Sequence, residues 1–166
     1  MYHKQKKMKS LSVILLSIFS LYYVSTINFI DYQIIREIET KTIHGQRKND
    51  IEPIILQSLN QTKNELTFKL DSKTANVEKT KVGNCVGYTK YFNKVLISKL
   101  SEKNYGNITV THARAKVLVM GKNVHVIKSN SLKDHDISVI HNKTTNKTYF
   151  VDPSLSEVFG NIIITK

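Results

Sequence analysis

The stretch HDISVIHNKTTNKTYFVDPS, residues 135–154, reads as an antiparallel hairpin and decides the fold class. His135–Ile140 and Lys147–Asp152 are rich in β-branched and aromatic residues, the HNKTTN between them is hydrophilic, and Pro153 closes the second run. A six-residue loop sets a register in which Ile137 faces Phe150, Val139 faces Thr148 and His135 faces Asp152. Cβ atoms opposed in this way lie ~4.5–5.5 Å apart. Ile137, Val139 and Phe150 share that face, which places the His–Asp pair at the rim of an apolar surface.

Upstream of the hairpin the pattern is again extended. Ile108–Val110, Ala113–Met120 and Val124–Lys128 read as strands, and Ile162–Ile164 supplies a short last one. Before residue 104 the period changes to helical. From Cys85 to Leu100, Tyr88, Tyr91, Phe92, Val95 and Leu96 fall at helical spacing, with Gly83 and Asn84 marking the start. An earlier helix begins at Ile51, capped by Asn49 or Asp50, with Pro53 in its first turn and Ile51, Ile55 and Leu59 as its apolar stripe. LTFKL (66–70) is a short strand and 71–82 a polar loop. Helices first and antiparallel strands afterwards is an α+β order.

The amino-terminal end has a different character. Lys4, Lys6, Lys7 and Lys9 precede LSVILLSIFSLYYVSTINFI, residues 11–30, which carries no charge. Twenty residues at ~1.5 Å each span ~30 Å, enough for a bilayer core, and the lysines orient it amino-end-in. Two readings stand: a retained membrane anchor, or a signal segment removed on export. Either puts the rest of the chain on the extracytoplasmic side. The expected organisation is an anchor or signal over 1–30, a polar stalk over 31–48 and one domain over 49–166.

Composition narrows the function classes. The 166 residues carry 25 basic and 13 acidic side chains, a formal balance of +12. Residues 1–30 contribute four lysines and no acids, which leaves +8 on the remainder. Only three of the basic residues are Arg, and no dense basic block with interleaved aromatics occurs, so nucleic acid is not an expected partner. One Cys excludes an internal disulfide and a multi-Cys metal cage.

That Cys is placed for chemistry. A thiol at a helix N-terminus faces unpaired N–H groups and the positive end of the macrodipole, which favour thiolate and offer an oxyanion site. The competing reading is a small buried hydrophobe. A carboxylate beside a histidine fixes its tautomer and stabilises its protonated form. Cys85, His135 and Asp152 are therefore the candidate nucleophile, base and orienting group. His125, within an apolar alternating strand, reads as structural, and His112 as preceding a strand.

Taken together, GNCVGYTKYF (83–92), ARAKVLVMG (113–121) and HDISVIHNKTTNKTYFVDPS (135–154) resemble the transglutaminase-like branch of the papain-like cysteine hydrolases. The resemblance covers about residues 80–155. It implies a papain-like core with the Cys at a helix start packed on an antiparallel sheet, and a Cys85–His135–Asp152 triad acting on amide bonds. No metal or organic cofactor is implied. The expected partner is a peptide or protein substrate, including cell-wall peptide, with residues 11–30 contacting the membrane. A catalytically inactive domain of the same fold, binding peptide or glycan at the cell envelope, is the alternative. A basic structural protein of the envelope, unrelated to thiol chemistry, is the third.

Overall fold

The computed structural model describes residues 30–69, 77–123 and 135–166. It is an α+β protein built on a six-stranded antiparallel sheet. In chain order the elements are β1 (Ile30–Ile43), α1 (Glu52–Glu65), β2 (Thr67–Phe68), α2 (Val77–Thr80), β3 (Val82–Gly83) and α3 (Cys85–Glu102). Then follow β4 (Ile108–Val119), β5 (Lys122–Asn123), β6 (His135–Asn142), β7 (Lys147–Val151), α4 (Leu155–Phe159) and β8 (Ile163–Thr165). The strands run β1-β4-β6-β7-β8 across the sheet, with β5 paired to β4, while β2 and β3 form a separate two-stranded parallel ladder.

Residues 31–48, expected to be a stalk, are instead largely sheet. Ile30–Ile43 form the edge strand β1, paired with β4 along its length from Ile30↔Val119 to Ile43↔Ile108. The pairing is interrupted between Ile34 and Arg36 and between Glu37 and Glu39. These bulges break the period-2 alternation that would mark a strand in the sequence. Apart from Tyr32 and Ile43, the residues from Gln33 to Thr42 are exposed, as an edge strand on an open sheet permits. The two expected strands 108–110 and 113–120 are one continuous element, β4.

The hairpin forms, but its register is displaced by two residues. Val139 faces Phe150, and His141 faces Thr148. β6 runs on through His141 and Asn142, which shortens the loop to Lys143–Asn146. Asn142 fixes that turn: its Oδ1 accepts from the N–H of Thr144 at 3.0 Å and of Thr145 at 3.3 Å, and Asn146 takes a positive φ of 55°. A shift of two leaves every side chain on its original face. The expected strand 124–128, with His125, lies outside the described residues.

Two cores flank the sheet. On one face, Phe92, Leu96 and Leu100 of α3 and Ile54, Ile55 and Leu59 of α1 close over Ile108, Val110, Ile140, Tyr149 and Val151. The other face is smaller and gathers Tyr32, Ala113, Ala115, Val117, Ile137 and Ile162. Helix α1 starts one residue later than its expected cap implies. Ile51 occupies the N-cap position without a side-chain bond, while Asp50 Oδ1 accepts both from the Glu52 N–H at 3.4 Å and from the Tyr149 hydroxyl at 2.9 Å, tying α1 to β7. Phe92 is fully buried at the centre of the larger core. Phe92→Ala should lower the unfolding free energy by about 3–5 kcal/mol in urea titrations, through lost burial and a residual cavity.

Candidate active site

Helix α3 opens as its sequence indicates. Asn84 is extended at φ −91° and its side chain accepts from the Gly87 N–H at 3.2 Å, so Cys85 is the first helical residue. Gly87 lies so close beneath Val77 that a methyl there would collide with it, which seats α2 on this first turn. One turn on, the Thr89 hydroxyl donates to the Asp136 carbonyl at 2.8 Å. The Cys85 sulfur lies 4.0 Å from Asp136 Oδ2. The start of α3 is thus docked on the first residues of β6, ahead of Ser138, where pairing with β7 begins.

His135 and Asp152 are brought together. His135 Nδ1 is 3.1 Å from Asp152 Oδ2, and both side chains are buried. The ring N–H is aimed off the oxygen rather than along a hydrogen bond, so the pairing is chiefly electrostatic. The displaced register makes the two diagonal rather than opposite neighbours, a separation long side chains still bridge. Asp152 is anchored elsewhere: Oδ1 accepts from the Ser154 hydroxyl and the Leu155 N–H, both at 2.9 Å, and Oδ2 from the Tyr32 hydroxyl at 3.1 Å.

A second buried pair, which the sequence reading missed, meets the thiol. His112 Nε2 is 2.7 Å from Asp136 Oδ1, and Arg114 Nη2 is 3.4 Å from Asp136 Oδ2. Asp136 and His112 are 1 % and 2 % exposed. Adjacent strand residues point to opposite faces, so His135 and Asp136 send their carboxylate–imidazole pairs to either side of β6. The acidic signal is present in Asp134-His135-Asp136, but its histidine partner His112 sits within β4, where the sequence indicates only a residue preceding a strand. Tyr32 has no such signal, because its segment lacks the alternation of a strand.

Electrostatics correct one expectation. The Cys85 thiol is pushed up from its ordinary value, first by burial and then by the negative charges of Asp136 and Asp152, against N–H contacts from Asp136 and Val86 that pull it down. The resting sulfur is therefore a protonated thiol rather than the thiolate that helix position alone suggests. For His135, burial alone would lower the pKa, but the charge of Asp152 and then that of Asp136 outweigh it, and the net shift is upward. Burial disfavours the charged form of Asp152 too, yet His135, the Leu155 N–H and Ser154 hold its pKa below the usual carboxylate value. Beside that carboxylate, burial and its charge drive the Tyr32 hydroxyl far up, so it acts as a donor only.

Cys85 and the His135–Asp152 pair thus share one end of the sheet but not one face of β6: the thiol meets Asp136, within the field of both acids, while His135 contacts Asp152 on the side where Tyr32 lies. Among the described residues no group of three or more His, Cys, Asp or Glu side chains is arranged to hold a metal ion. No family model, curated protein or solved structure matches the chain.

Proposed function

We propose that this chain is a thiol-dependent acyl hydrolase or transferase of the transglutaminase-like, papain-like type, acting on amide bonds of peptide character. One observation carries the reading: a buried His135–Asp152 pair at 3.1 Å, at the end of the sheet where Cys85 opens α3. In the proposed reaction, as the likeness implies, His135 takes the thiol proton as the sulfur adds to the substrate carbonyl, its ring reaching round the start of β6 from the face of Asp152 to that of the thiol. The Cys85 and Val86 N–H groups of the first turn of α3 hold the oxyanion. His135 then gives that proton to the departing amine as the C–N bond breaks, leaving a thioester. Water, or an amine in transamidation, attacks the thioester and returns the sulfur to its thiol.

An exported or membrane-tethered setting fits the apolar run 11–30, which ends on the first residue of β1. Among the described residues no helix is long and apolar enough to cross a membrane. A non-catalytic reading, a domain of this fold that binds peptide or glycan at the cell envelope, is favoured by the raised thiol pKa.

Alkylation by iodoacetamide across pH separates the two. Burial raises the thiol pKa, so with His135 as base wild-type Cys85 should still react below pH ~8.5, in excess of what that raised pKa alone permits, and the excess should vanish in His135→Gln. A shared profile rising only above that pH would mark a structural thiol and end the enzymatic reading.

A further inference from the structure

A groove of about 410 Å³ runs between α3 and the β1–β4 edge of the sheet. Its inner wall holds Asn93 and His112, its floor Ile97 and Val110, and its rim Lys41, Lys90 and Lys94 with the single acid Glu39. Two atoms in it are anomalous. Asn93 Oδ1 and His112 Nδ1 are buried without a hydrogen-bond partner among the described residues, on side chains 9 % and 2 % exposed. Buried polar groups rarely stay unpaired in a folded protein, and both side chains line this groove.

The groove also communicates with the thiol. Cys85, Thr89 and Asn93 follow at intervals of four on α3, hence along one stripe of the helix. Across the sheet, His112 meets Asp136, and Asp136 meets the Cys85 sulfur. Eight residues of helix place Asn93 ~12 Å from Cys85.

We infer that this groove is the subsite for an acidic side chain of a peptide substrate, an assignment that rests on the acyl-transfer reading of Cys85 and extends it to substrate class. Lys90 has no acidic partner among the described residues, while Lys41 and Lys94 are held only by exposed pairs with Glu39 at 3.6 Å and Glu78 at 2.7 Å. Exposed pairs of that kind exchange readily for another carboxylate. The Asn93 amide can take a peptide N–H, His112 Nδ1 faces the incoming group, and Ile97 and Val110 receive the aliphatic part of a Glu side chain. An apolar floor without arginine suits a peptide better than a phosphate. At ~3.3 Å per extended residue, ~12 Å puts the acidic residue three or four positions from the bond that is cut.

Binding can be measured without chemistry on the full chain carrying Cys85→Ala, in neutral detergent. The probes are two dye-labelled, end-blocked hexapeptides of Gly and Ala, one with a central Glu and the other with Gln in its place. Anisotropy should show the Glu peptide binding about tenfold more tightly, the scale of one well-placed charge. Lys90→Glu should abolish that preference, and Asn93→Leu should weaken both peptides. Lys143→Glu, on the distant hairpin loop, should leave it within twofold. Equal affinities, no binding of either peptide, or an equal loss in Lys143→Glu would overturn the assignment. Because Lys90 and Asn93 are not among the groups that set the Cys85 pKa, the alkylation profile and the peptide preference can each fail without the other.

Discussion

Replacing His135 with glutamine should slow S-acylation of Cys85 by roughly 10²–10⁴-fold at neutral pH, the usual worth of a positioned general base. The release of nitrophenolate from p-nitrophenyl acetate, followed as a pre-steady-state burst, reads this step directly and does not require the natural substrate. The size of the effect comes from the state of the sulfur. Burial and two carboxylates hold it as a thiol, so little spontaneous thiolate exists to mask the loss of a base. In the proposed mechanism it is His135, shifted upward by Asp152 and Asp136 despite its burial, that accepts this proton. Asp152→Asn should give a smaller but substantial loss, since it keeps the shape of the site and removes the charge that stabilises the imidazolium. A burst in His135→Gln as fast as in the wild type would remove His135 from the mechanism.

The two imidazole–carboxylate pairs beside the thiol invite different roles. His135–Asp152 is anchored by Ser154, the Leu155 N–H and Tyr32, so its carboxylate is fixed and its imidazole is the adjustable element. In the other pair, Asp136 is gripped by His112 at 2.7 Å and Arg114 at 3.4 Å, while His112 presents to the groove a nitrogen without a partner among the described residues. Strand β6 carries one member of each pair on consecutive residues, which is why the thiol docked at its start feels both. The edge strand joins the site as well, since Tyr32 reaches Asp152 from β1 and Lys41 lies on the groove rim.

How much of this the sequence discloses follows from the range of the signals. Helix α3 is legible because Tyr88, Phe92 and Leu96 repeat at helical spacing and Asn84 is a local cap. The hairpin is legible from its alternation, and the His135–Asp152 contact survives a displaced register because a shift of two preserves faces. Strand β1 is not legible: two bulges destroy its alternation, and an edge position leaves its middle exposed. The His112–Asp136 pair depends on β4 and β6 lying side by side, a contact across 24 positions that no short pattern encodes. The thiol pKa escapes for a related reason, because local helix position says nothing of carboxylates delivered by β6 and by the end of β7.

Asp152→Ala should cost about 3–5 kcal/mol of stability, the scale of removing one partner from a buried charged pair. The carboxylate is fully buried, and its loss strands three donors at once, the Tyr32 hydroxyl, the Ser154 hydroxyl and the Leu155 N–H, and leaves the buried His135 without its counter-charge. The pH dependence has two limbs of opposite sign. Asp152 has its folded pKa depressed below 3.8, so its contribution is complete above the ordinary carboxylate value and disappears as pH falls through the folded one. His135 has its folded pKa raised above 6.5, so its contribution is complete below that value and disappears as pH climbs through the folded one. Urea midpoints of the wild type should therefore peak between about pH 4 and 6.5 and decline on both sides. Asp152→Asn keeps the volume and removes the charge, so its acid limb should lose the Asp152 component. Its alkaline limb should shrink, because only Asp136 then opposes the burial of a charged His135. An unchanged alkaline limb in Asp152→Asn would show that the 3.1 Å pair does not govern the titration of His135.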